Sequence, residues 1–277
     1  MTTLKNLMFK MNYKYAILLG IVAFSSFQAP AKAGSLLGTA NDFGVLGGST
    51  VTNTGPSVIM QSLGVNAGSS ATGFSPAVGV VNGGIFTSDA VAAQAQLDNA
   101  SAYNYLAKLS PTKELTGLDL GGMTLTPGVY SFSSSAQLTG KLTLDNLGDP
   151  NALFVFQIAS TLTTASNSSV VTTNGEAPNV FFQIGSSATL GTYTQFMGNI
   201  LALTSITLTT GVNIDCGRAL AQNGAVTMDT NKVSSTCYTK PQEVAAQVPE
   251  PDSSLGVIGS GMVGLLFAFN KRFRKGW

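Results

Sequence analysis

The side chains of this chain whose spacing suggests a chemistry are hydroxyls. Six segments align beneath one another with threonine recurring in one column: Val51-Thr52-Asn53-Thr54, Ala136-Gln137-Leu138-Thr139, Leu162-Thr163-Thr164-Ala165, Ala188-Thr189-Leu190-Gly191, Ile206-Thr207-Leu208-Thr209 and Val226-Thr227-Met228-Asp229. From Gln137 through Thr163, Thr189 and Thr207 to Thr227 the spacings are 26, 26, 18 and 20 residues, a period that fits one coil of a β-solenoid. Within a segment the alternation has the strand period of two, with Ile206 and Leu208 facing one way and Thr207 and Thr209 the other. Coils stacked about 4.8 Å apart, with residues i and i+2 about 6.7 Å apart along each strand, hold such side chains in a fixed grid. Threonine is stiff at χ1, so its hydroxyl and methyl have little freedom left to lose on meeting an ordered partner. That is a chemistry of adsorption rather than of bond making.

Catalysis has few candidates. The chain has no histidine, and its acidic residues are scattered, whereas general acid–base work needs groups gathered and tuned in one place. Asp145, Gly148, Asp149 and Pro150 look like a turn in which aspartate bonds its own backbone; the third and fourth oxygen ligands of a calcium loop are missing. Without histidine or a CxxC pair there is no zinc spacing. The glycines Gly259, Gly261 and Gly264 spell GxGxxG, but no strand precedes them. No enzyme activity, cofactor or metal is expected. The two cysteines, Cys216 and Cys237, predict a disulfide if the chain is exported, worth about 3 kcal/mol by loop entropy.

Both ends suggest export. Lys5, Lys10 and Lys14 precede an apolar run from Ala16 to Phe24, followed by Ala31-Lys32-Ala33. This is the layout of a secretory signal over residues 1–33 with cleavage after Ala33, an uncleaved anchor being the alternative. Near the other end, residues 241–253 form a linker carrying Val248-Pro249-Glu250-Pro251, and 254–277 hold an apolar run and the basic Lys271, Arg272, Arg274 and Lys275. The apolar run, Leu255 to Phe269, reaches only about 22 Å as a helix, short of the ~30 Å hydrocarbon core. These last residues resemble the bacterial PEP-CTERM sorting signal. That resemblance implies an exosortase-type processing enzyme, transient membrane attachment through the C-terminal segment, and a cell-surface or exopolysaccharide-matrix destination in a bacterium with an outer membrane. An ordinary C-terminal membrane helix is the alternative.

Between the ends, residues 34–247 carry eleven acidic and six basic residues, a net charge of −5. So few cations leave no basic stripe, and nucleic acid is not expected as a partner. The strands Phe154-Val155-Phe156-Gln157-Ile158 and Val180-Phe181-Phe182-Gln183-Ile184 are apolar on nearly both parities, as strands covered on both faces are. The cover predicted for them is a helix over 89–109, capped by Ser88, with Val91, Ala95, Ala102, Leu106 and Leu109 as its apolar stripe.

The body, residues 34–240, resembles the microbial ice-binding protein family. The residues carrying the resemblance are Phe43 through Gly55, the Ala-rich helix, Leu115 through Tyr130, Gly148 through Ile158, Gly217 through Ala221 and Gly224 through Asp229. It implies a mainly β fold: a right-handed, three-sided, discontinuous parallel β-solenoid with one long helix along it, its N- and C-terminal segments sharing a sheet. It also implies adsorption to ice through a flat threonine-rich wall bearing T-x-T or T-A/G-x-T/N repeats. The longer pattern is matched by Thr164-Ala165-Ser166-Asn167 and Thr210-Gly211-Val212-Asn213; looser matches are Thr52, Thr54, Thr163, Thr189, Thr192, Thr207, Thr209, Thr227 and Thr230. The expected partner is an ice crystal surface, the alternative being adhesion to exopolysaccharide without ice activity. Gln137, Gly191 and Asp229 interrupt the columns, and the sequence leaves open which wall meets the partner.

Overall fold

A computed structural model describes residues 36–74, 78–175 and 179–237, all within one compact unit. The leader, the linker with Val248-Pro249-Glu250-Pro251 and the hydrophobic C-terminal segment lie outside the described residues. Among the described residues no helix is long and apolar enough to cross a membrane.

The body is a three-sided parallel β-solenoid. A coil such as Leu153–Ile158, Leu162–Thr164 and Ser169–Thr173 gives one strand to each wall, and the paired strands are parallel throughout. Two long strands, Gln195–Ala202 and Asn213–Ala221, cross a corner from one wall to the next. They bend at irregularities where Gly198 and Cys216 take positive φ of 120° and 53°. Inside, Tyr130, Phe156, Phe182 and Phe196 stack with centroid separations of 5.5, 4.4 and 4.7 Å. Such a ladder grips rung on rung beyond the area it buries.

Stacking order and chain order differ. The N-terminal coil, Phe43–Gly47, Thr50–Asn53 and Val58–Ile59, sits on the C-terminal coil through Val45↔Ala219, Val51↔Val226 and Val58↔Lys232. The helix, Ala90–Ala107, makes this possible. Its 18 residues span about 27 Å at 1.5 Å each, five to six rungs, so it returns the chain to the far end of the stack. Its cap is Asp89, whose carboxylate accepts from Ala92 N at 2.8 Å. Ser88 is one residue too early: it takes φ 51° and donates to Gly68 O. The buried stripe is Ala92, Ala95, Asn99, Ala102 and Leu106. Counting back from Leu106 at helical spacing reaches Ala92, and Val91 turns outward. The stripe packs on Val155, Phe181, Leu201 and Leu220, which is why those strands are apolar on both faces.

A disulfide braces the strand beside the discontinuity, and a buried arginine on the same strand bridges it. Cys216 and Cys237 are bonded, with Cα atoms 4.2 Å apart. Arg218, 6% exposed, donates to Asn41 O, Asn41 Oδ1 and Asn199 Oδ1 at 3.0, 2.7 and 2.9 Å. Burial lowers its pKa to about 10, opposed by nearby Asp42, so it stays charged at neutral pH.

A pH profile follows from the carboxylates. Ser131 and Thr116 donors hold the Glu114 carboxyl below its ordinary range; the Leu147 amide and Asn174 do the same for Asp145. At Asp98 and Asp119 burial opposes ionisation, but donors from Thr39 and Gln94, and from Gly121 and Thr139, outweigh it. Depressed folded pKa values mean that the unfolded chain binds more protons near pH 4. Their contribution is therefore complete above about pH 5 and is lost as pH falls through the folded values. Burial raises Tyr103 and Tyr130 instead. The melting temperature is expected to stay level between about pH 5 and 9 and to fall below about pH 4. A midpoint dropping steadily from pH 8 to 5 in a calorimetric series would contradict this assignment.

Candidate functional site, an uncharged threonine wall

One wall is a separate seven-stranded sheet in the order Ala136–Leu138, Leu162–Thr164, Ala188–Leu190, Ile206–Leu208, Val226–Met228, Thr50–Asn53, Ser70–Thr72. Its pairing places Gln137, Thr163, Thr189, Thr207, Thr227, Thr52 and Thr72 directly beside one another, one per rung. Their neighbours Leu162, Ala188, Leu190, Ile206, Leu208, Val226, Met228 and Val51 are buried at 0–1% exposure, so alternation turns the column outward. The hydrogen bonds among described residues use none of the hydroxyls of Thr163, Thr189, Thr207, Thr227, Thr52 and Thr72. They are uncommitted donors and acceptors, each beside a methyl.

A second hydroxyl column runs parallel two residues earlier, and the sequence analysis missed it. It comprises Ser135, Thr161, Ser187, Ser205, Thr50 and Ser70, with Ala225 on the Thr227 rung. The signal was present: serine or threonine stands two places before the column residue in every rung but that one. These hydroxyls are partly committed. Thr161 Oγ1 donates to Ser135 Oγ at 2.9 Å, and Ser187 Oγ and Ser205 Oγ accept from the amides of Ser205 and Ala225. They tie rung to rung beside the free column.

The other residues singled out from sequence occupy the corner beyond this wall. Thr164 points inward, 3% exposed, sharing a 2.9 Å bond with Thr194 Oγ1 and accepting from Gly191 N. Ser166 is exposed, and Asn167 takes φ 59° in the turn. Thr209 Oγ1 donates to Leu190 O at 2.7 Å and lies 3.5 Å from Thr192 Oγ1; Thr54 Oγ1 donates to Met228 O. Asn213 opens a strand of the third wall, its amide on Gln195 Oε1. The literal T-A/G-x-T/N matches thus fall where each rung ends and the chain turns. Asp229 lies at the same rim, where Thr210 and Thr230 donate to its carboxylate at 2.5 and 3.0 Å. The charge interrupts the rim and leaves the column intact.

The two other walls present different surfaces. One is covered by the helix. The third, where Lys141, Ser169, Gln195, Asn213, Lys232, Val58 and Val80 stand in register, mixes charges of both signs, Asp145 and Asp215 included, with exposed aliphatics. Ions keep their own hydration shells, so among the three walls only the threonine wall offers a flat, uncharged, hydroxyl-bearing face over most of its length; Asp119, bridged to Gln137, ends it. Among the described residues no cluster of Cys, Asp and Glu could hold a metal ion.

Comparison with known proteins agrees with this architecture. The ice-binding-like family model matches residues 45–234. An ice-binding protein of Nostoc sp. (strain HG1) is 83% identical over 272 residues, covering 98% of this chain and all of that protein. The crystal structure of an ice-binding protein from an Antarctic biological consortium is 47% identical, with TM-score 0.68 over 71% of this chain and 89% of the other. That of the Antarctic ascomycete Antarctomyces psychrotrophicus is 41% identical, with TM-score 0.68 over 73% and 98%. The chain is a β-solenoid with one flanking helix and belongs to the ice-binding-like family.

Proposed function

We propose that this protein binds ice through the outward threonine column of the seven-stranded sheet and so restrains ice growth or recrystallisation. The observation that carries the proposal is the unbroken register of Thr163, Thr189, Thr207, Thr227, Thr52 and Thr72 with their hydroxyls uncommitted. The stiff hydroxyls anchor waters at about 4.8 Å intervals while the methyls keep the rest of the layer uncommitted. Each contact is weak, so retention comes from many rungs engaging together. Relatives named as ice-binding proteins support the same activity.

Export through the leader, exosortase-type handling of the Val248-Pro249-Glu250-Pro251 segment and a surface or matrix destination complete the proposal, resting on the sequence outside the described residues. A second reading, adhesion to exopolysaccharide, is favoured by Tyr193, an aromatic left 58% exposed beside the wall.

Ice-recrystallisation inhibition at micromolar concentration tests the activity itself: unrestrained grain growth removes ice binding in favour of adhesion. Gln137→Thr tests the column, because it adds a seventh threonine in register with Thr163. Activity is expected to rise by about twofold, since avidity grows with each engaged rung. A drop in activity, with the fold intact by circular dichroism, would count against the column.

A further inference from the structure

We infer that the corner at Tyr193 is a stacking platform for a pyranose chain, a binding site separate from the threonine column. Tyr193 occupies a slot of the left-handed kind. Asn167, Tyr193, Gly211 and Thr230 stand above one another at this corner, linked by Asn167 N to Thr192 O, Tyr193 N to Thr210 O and Gly211 N to Asp229 O, and each has φ between 55° and 73°. Glycine or asparagine fits such a slot with least strain, whereas an aromatic residue is an outlier there. The ring nevertheless has a prepared bed. A Cβ on Gly211 would lie 2.4 Å from Tyr193 Cδ1 and 2.6 Å from Cε1, so the ring rests over the space that glycine leaves empty. The Cδ1–Cε1 edge lies against this glycine, and with the residue 58% exposed the ring stays open to solvent.

The neighbouring side chains select the ligand. Two carboxamides continue from the corner onto the third wall. Gln195 Nε2 lies 3.4 Å from Tyr193 O, and Asn213 Nδ2 donates to Gln195 Oε1 at 3.0 Å. Each amide nitrogen keeps an N–H unused by these bonds, and Asn213 Oδ1 keeps its lone pairs. Gln195 and Asn213 are paired in register on adjacent rungs, about 4.8 Å apart. The one carboxylate at this corner, Asp229, is engaged by Thr210 and Thr230. A flat aromatic ring with neutral donors and acceptors on the two adjoining rungs, and Lys232 one rung further along the same register, suits a sugar. A pyranose lays its axial C–H face on the ring and turns its equatorial hydroxyls to the carboxamides.

The site does not depend on ice binding, and the two can fail separately. The test is a titration of the full chain with cellohexaose, a β-1,4-linked glucan, followed by calorimetry or by NMR shifts of the Tyr193 ring. Saturable binding is expected in the unaltered protein. Tyr193→Gly, which suits the backbone slot, should weaken it by at least about tenfold, the size of effect a stacked aromatic carries. Tyr193→Phe should keep it, as should a Thr189→Tyr, Thr207→Tyr variant disabled for ice. Tyr193→Gly should in turn retain ice-recrystallisation inhibition within about twofold, because the avid column is untouched. No saturable binding in the unaltered protein, equal binding by Tyr193→Gly, or loss in Tyr193→Phe would overturn the platform.

Discussion

Thr189→Tyr combined with Thr207→Tyr is expected to reduce ice-recrystallisation inhibition by at least about tenfold while leaving the fold intact, because avidity rather than any single bond supplies retention. The two residues are adjacent in the middle of the column, and their side chains leave the sheet toward solvent. A phenol there costs the core nothing: the inward neighbours Ala188, Leu190, Ile206 and Leu208 are unchanged and remain buried. It stands above the plane of the flanking threonines, lifts the wall away from a flat lattice and disengages the rungs on both sides. Tyrosine is also a favourable strand residue, so the melting temperature should hold. Activity equal to that of the unaltered protein would mean that ice meets a different wall.

Arg218→Met is expected to lower stability by about 2–4 kcal/mol, since three hydrogen bonds from a buried guanidinium are lost and the groups that accepted them are left without partners. In a body of this size that corresponds to a fall in Tm of roughly 10 °C. The effect is large because of where the arginine sits. It lies on Asn213–Ala221, bonding one rung back to Asn199 and across the discontinuity to Asn41. No covalent bond links the Thr227 rung to the Thr52 rung, and strand pairing with a few side-chain hydrogen bonds joins the two sides. Reduction of Cys216–Cys237 should add to the loss, as the disulfide ties a neighbouring residue of the same strand. Differential scanning calorimetry decides: a midpoint within about 2 °C of the unaltered protein would show that the joint does not rely on Arg218.

Much of the wall is legible in the sequence because strand alternation is local. Thr189, Thr207 and Thr227 each lie between two apolar residues and Thr163 between Leu162 and the inward Thr164, and the in-register partners read from repeat spacing are those that the ladder forms. Thr52 is legible as a repeat, but its place beside Thr227 follows from the resemblance alone, because nothing local states that a stack will be closed by its first coil. Thr72 is not legible as a rung because the small Ala71 and Gly73 flank it and give little apolar alternation, and the Ser135-to-Ser70 column stands just outside each short alternating segment. The literal T-A/G-x-T/N matches were misleading for a physical reason. A three-residue rung ends at Thr164 or Leu208, so the rest of the pattern falls on the turn, where Asn167 adopts φ 59° and Thr210 is engaged by Asp229. The helix was legible in position but not in phase: its alanines leave little hydrophobic contrast, and Val91 attracted the stripe that packing assigns to Ala92.

The central claim is that one wall alone meets ice. The most direct measurement places a lysine on each wall in turn, Thr207→Lys on the threonine wall, Asn213→Lys on the third wall and Tyr105→Lys on the exposed side of the helix, and follows partition of each fluorescently labelled protein onto a growing ice hemisphere. Thr207→Lys should be excluded from the ice, while Asn213→Lys and Tyr105→Lys should enter it like the unaltered protein. Incorporation of Thr207→Lys together with exclusion of either other variant would contradict the account.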